Sequence, residues 1–127
     1  MIKSILICDS TGYPFYLKQI DPTMAEMDSS IFSGLISAIS TIGKQLFNED
    51  IATITYGDKY KITIITKELL QIEKTIYFVF LVEGDADLKL MRRLSTNIFI
   101  ETKHVLKDPS AAKLDIKQKV DKILAGL

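Results

Sequence analysis

Cys8, followed directly by Asp9, is the only thiol in the chain. It closes the apolar run Ile5-Leu6-Ile7-Cys8, a setting in which a thiol is buried filler with a raised pKa and not a ready thiolate. His104 is the sole histidine, so neither a histidine pair for a metal nor a relay through a second histidine exists. Late in a helical stretch, it suits a surface position near the negative end of the helix dipole. Glu83, Asp85 and Asp87 lack the ligand spacing of a calcium loop and read as caps at a helix N-terminus, which favours acidic residues. Gly12, Gly34, Gly43 and Gly57 are not arranged as a phosphate-binding loop with its following Lys and Ser/Thr. Lys89, Arg92, Arg93 and Lys103 make a modest basic strip, read as a solvated helix face, with acidic lipid or an acidic partner as the other reading. No catalytic, cofactor-binding or metal-binding residue is expected. The chain is not read as an enzyme.

Composition narrows the remaining classes. With 127 residues the chain is expected to form one domain and to bury roughly two-thirds of its unfolded surface. Sixteen basic residues balance sixteen acidic ones, so there is no overall field to attract nucleic-acid phosphates. A single cysteine excludes an internal disulfide and fits a reducing cytosol. The longest apolar run, Ile76 to Val82, is seven residues, whereas a membrane span needs about twenty. Met1-Ile2-Lys3 leads straight into an apolar strand without signal-peptide regions. Position 2 and the closing Ala125-Gly126-Leu127 suggest no lipidation. The expectation is a soluble, cytoplasmic protein whose association with membranes, if any, is peripheral.

The chain divides readily into elements. Ile2 to Asp9 reads as a central strand apolar on both faces, followed by the turn cluster Asp9-Ser10-Thr11-Gly12. Tyr13 to Ile20 returns beside it, and Pro14 places this strand at an edge or itself at the strand's start. Ile51 to Tyr56 and Tyr60 to Thr66 alternate around Gly57-Asp58-Lys59, a hairpin with a corner of positive φ. After a polar connection from Lys67 to Lys74, Thr75 to Val82 is a second doubly apolar strand. A helix from Leu88 carries Met91, Leu94, Ile98, Thr102 and Val105 on one face and ends at Asp108-Pro109-Ser110. A last helix places Ile116, Val120, Ile123, Leu124 and Leu127 on one stripe.

Between the first hairpin and the second lies a long helix, Asp28 to Asn48. Asp28, Ser29 and Ser30 offer N-caps. Ile31, Phe32, Leu35, Ile36, Ile39, Ile42, Leu46 and Phe47 spread over roughly half its circumference at about 100° per residue. The other half is Ser33, Gly34, Ser37, Ser40, Thr41, Lys44 and Gln45, in which Lys44 is the only charge. A solvated arc normally carries several charges, whereas these small hydroxyls permit another backbone to approach closely. Ser33, Ile36, Ser37, Ser40, Thr41, Lys44 and Phe47 are therefore candidate contact residues, with Thr53 and Thr55 of the neighbouring strand offering an open sheet edge. The bland alternative is that the hydroxyl arc lies beneath a loop or in water.

The order ββ-α-βββ-α-α implies an α+β, three-layer α/β/α sandwich on a five-stranded antiparallel sheet, the long helix covering one face and the last two helices the other. This arrangement resembles the longin domain of the longin/Roadblock superfamily over nearly the whole length. The resemblance is carried by the opening Ile5-Leu6-Ile7-Cys8-Asp9-Ser10-Thr11-Gly12-Tyr13-Pro14 and by Ser33-Gly34-Leu35-Ile36-Ser37-Ala38-Ile39-Ser40. Roadblock domains place a helix before the first strand; its absence here favours the longin type. The resemblance implies a single, non-catalytic interaction module of 127 residues that dimerises with itself or with a longin or Roadblock partner. It also implies a platform for small-GTPase regulation or membrane-traffic machinery, without the fusion helix of longin SNAREs. No cofactor is implied, and no nucleic acid. The rival is a PAS-like small-molecule sensor, which needs a hollow between helix and sheet.

Overall fold

The computed structural model describes residues 1–23, 27–50, 52–85, 87–106 and 109–126, with the helical backbone alone for 109–112. Two apolar strands make its centre. β1 (Ile2–Asp9) and β5 (Lys74–Glu83) are buried on both faces over most of their length and pair antiparallel, Leu6 opposite Val79 and Ile7 opposite Phe78. β2 (Pro14–Gln19) folds back on β1 through a turn in which Gly12 takes φ +87°. β4 (Tyr60–Leu69) lies on the other side of β5, and β3 (Thr53–Tyr56) pairs with β4. The sheet runs β2-β1-β5-β4-β3, antiparallel throughout. Pro14 satisfies both of its expected placements, since it opens a strand and that strand is an edge.

The helices cover the two faces of the sheet. α1 (Ser29–Phe47) lies over Leu6, Cys8, Ile62, Ile64 and Val79. α2 (Leu88–Thr102) and α3 (Pro109–Leu124) lie over the opposite face, where Ile5, Ile7, Phe78 and Phe80 meet Met91, Ile98, Ile116 and Val120. This is the α+β three-layer sandwich expected from the element order.

Two boundaries differ from the sequence reading. β4 continues through the expected connection to Leu69, whose side chain is buried, and only a single 3₁₀ turn at Leu70–Ile72 separates it from β5. α2 stops at Thr102, short of the Asp108-Pro109 signal. The N–H groups of Val105 and Leu106 both bond to the Thr102 carbonyl, tightening the chain into turns that bury Leu106. His104 therefore stands beyond the helix end. Asp108, as well as Leu127 of the last stripe and Ile51 at the start of the expected third strand, lies outside the described residues.

Candidate interaction surface

The groups with potential for chemistry are kept apart. Cys8 is fully buried, and desolvation, helped by the charge of Asp9, pushes its thiol up to about 12. It is packing, not a nucleophile. His104 is exposed with its Nε2 3.1 Å from the Lys119 ammonium. Asp87 accepts from the Leu90 N–H at 3.0 Å and caps α2, as its position predicts. Among the described residues no three His, Cys, Asp or Glu side chains gather as a metal would require, and no helix is long and apolar enough to cross a membrane.

α1 is well delimited. Asp28 Oδ1 accepts from the N–H groups of Ser30 and Ile31 at 2.9 and 3.1 Å. The other end closes on Asn48 in the left-handed region (φ 52°), its N–H bonded to the Lys44 carbonyl at 3.1 Å. Lys44 reaches Asp50 at 3.2 Å, a cation in the last turn where the dipole favours it.

The helix turns a different side outward from the one its hydroxyls suggest. Ser33, Ile36 and Ser40 are the residues it buries. Ser33 Oγ donates to the Gly12 carbonyl at 2.6 Å, and Ser37 Oγ donates to the Ser10 carbonyl. A Cβ on Gly12 would lie 3.4 Å from the Gly34 Cα, which shows how closely the β1–β2 turn sits on this helix. The small residues do admit another backbone, and that backbone is the protein's own hairpin turn. Ser33, Ile36 and Ser40 therefore leave the candidate surface, and Ser37 is only partly accessible. Thr41, Lys44 and Phe47 remain exposed, as do Thr53 and Thr55 on β3.

What the helix turns outward is large and apolar. Ile31, Leu35, Ile42, Leu46 and Phe47 are between 47% and 73% exposed. Ile31, Leu35, Ala38, Ile42 and Leu46 follow one another at intervals of four, three, four and four, the spacing of a seam between packed helices. Sequence periodicity locates these residues but assigns them to the core. The signal that distinguishes them is the near absence of charge on α1, where Lys44 stands alone, since a helix wet on one side carries several charges there. Tyr56 and Tyr60 add exposed aromatic surface at the β3–β4 hairpin, and β3 is one of the two edges of the sheet.

No protein-family model matches the sequence, and no curated protein matches it. Solved structures do resemble it. Gliding protein MglB from Thermus thermophilus superposes with a TM-score of 0.55 at 13% identity, over 72% of this chain and 70% of that one. MglB with a tetrameric arrangement gives 0.52 at 12% identity, over 94% and 79%. A Roadblock/LC7 domain from Streptomyces avermitilis gives 0.47 at 11% identity, over 98% and 83%. The fold is of the longin/Roadblock type. At such identities the likeness is one of architecture.

Proposed function

We propose that this chain is a non-catalytic interaction module that pairs through α1 and β3 with a second copy or with another longin or Roadblock protein. The composite surface then serves a small GTPase in its regulation or in membrane traffic, the role that the longin resemblance implies. One observation carries the pairing: a 19-residue helix with a single charge leaves Ile31, Leu35, Ile42 and Leu46 exposed along one side, with Phe47 exposed at its last residue. Burying apolar surface yields about 25 cal/mol per Å², and a patch of this kind on a monomer marks an interface. The structurally similar MglB has been seen in a tetrameric arrangement. The contact set is Thr41, Lys44, Phe47, Thr53 and Thr55, which the sequence already suggests, enlarged by the apolar ridge.

Light scattering behind size exclusion tests the pairing. The expected result is twice the chain mass for the native protein and a monomer for Ile42→Glu, with unchanged circular dichroism. A native monomer at high concentration that also captures no longin or Roadblock protein overturns it. A ligand-sensor reading gains no support, because the space between α1 and the sheet is filled by Leu6, Cys8, Ile36 and Val79.

A further inference from the structure

The opposite face has a different character. Residues 88–106 and 113–126 carry eight basic side chains against three acidic ones, an excess of five in a chain whose net charge is zero. On α2, Lys89, Arg93 and Ile100 fall within a narrow outward arc at about 100° per residue, and all three are exposed. Ile100 lines a shallow groove with Lys119 and Lys122 of α3, which places Lys89, Arg93, Lys119 and Lys122 on a common surface. Glu101 also lines that groove, and Asp115 holds Lys119 at 3.3 Å. Lys89, Arg92, Arg93 and Lys122 make no ion pair among the described residues.

From this arrangement we infer that the α2/α3 face docks on an anionic phospholipid surface. Three of the four basic residues on that common surface, Lys89, Lys119 and Lys122, are lysines, which act as hydrated point charges and do not demand the bidentate partner that Arg selects. Lysine is depleted from the cores of protein–protein interfaces, so a diffuse plane of lipid phosphates fits this face better than a protein partner. The half-exposed Ile100 (55%) stands among the charges as an apolar contact for the headgroup boundary, the pairing that interfacial helices use. The docking does not depend on pairing through α1, because α1 covers the other side of the sheet.

Co-sedimentation of the full chain with phosphatidylcholine vesicles, with and without phosphatidylserine, tests the inference. Binding is expected only with phosphatidylserine, and it weakens as salt rises toward about 0.15 M and beyond. Each basic residue near an anionic leaflet is worth roughly fivefold in partitioning. The triple variant Lys89→Glu, Arg93→Glu, Lys122→Glu should therefore lose on the order of a hundredfold or more. These side chains are exposed and make no ion pair among the described residues, and circular dichroism of the variant checks that it folds. Equal binding to both vesicle types overturns the inference, as does an unchanged triple variant. So does retention of an acidic polypeptide, poly-glutamate, by a protein that ignores the phosphatidylserine vesicles.

Discussion

The two covers of the sheet solve the same packing problem in opposite ways. α2 buries Met91, Leu94, Ser95, Ile98 and Thr102 and turns Lys89, Arg92 and Arg93 to solvent, so its outward side is wet and charged. α1 is longer and buries only Ser33, Ile36 and Ser40, while Ile31, Leu35, Ile42 and Leu46 point away from the sheet. The contrast teaches that an amphipathic helix need not turn its larger residues inward. Where a hairpin turn sits as close as Gly12 does to Gly34, only small side chains fit between, and the bulk is displaced to the far side.

Breaking each cover separately sharpens this contrast. Ile98→Ala should cost about 2–5 kcal/mol, read from chemical denaturation, because it opens a cavity in a fully packed layer. Leu35→Glu on α1 should leave the stability of the monomer nearly unchanged while abolishing association, read by light scattering. An equal loss of stability in both variants would remove the distinction between the covers. Two serines of α1 then divide by sign. Ser33→Ala loses the hydrogen bond to the Gly12 carbonyl and should destabilise by about 1 kcal/mol. Ser40 Oγ is buried with no hydrogen-bond partner among the described residues, so Ser40→Ala should be neutral or stabilising by about 1 kcal/mol.

Acid should act away from the α1 seam. The Lys3 ammonium, 2.7 Å from Asp21 and 2.8 Å from Glu83, holds both carboxyls below their ordinary range. Lys117 and the Tyr16 hydroxyl do the same for Asp121 on α3. Folded carboxyls that are more acidic than unfolded ones stabilise fully above the ordinary carboxylate pKa, and that contribution is lost as pH falls through the folded value. The melting temperature should hold from neutrality to about pH 5 and decline below about pH 4, with a shallower decline in Asp21→Asn. The smallest effect is kinetic: Cys8, fully buried with its thiol pushed up to about 12, should resist alkylation until the chain is denatured.

Much of the architecture was legible in the residues. The unbroken runs at Ile5–Cys8 and Ile76–Val82 announced strands covered on both sides, and they are the paired inner strands β1 and β5. Asp28 and Asp87 announced the helix starts they cap. The orientation of α1 was not legible, because periodicity reports that a helix has two arcs and not which arc meets the sheet. The deciding contact joins Gly12 to Gly34, a distant pair in sequence with no side chains to betray it. Likewise the end of α2 depends on two N–H groups sharing the Thr102 carbonyl, which no residue type signals.

Among the described residues β3 pairs with β4 over four positions, from Thr53 opposite Thr63 to Tyr56 opposite Tyr60. A neighbour that adds its own strand along so brief a margin gains few main-chain hydrogen bonds, each worth about 1 kcal/mol net. In the proposed pairing, cohesion comes mainly from oily contact along α1, which sulfate strengthens and chilling weakens. One protein would thus carry two adhesive sides that answer sulfate in opposite directions, the aliphatic side gripping harder as the cationic side lets go.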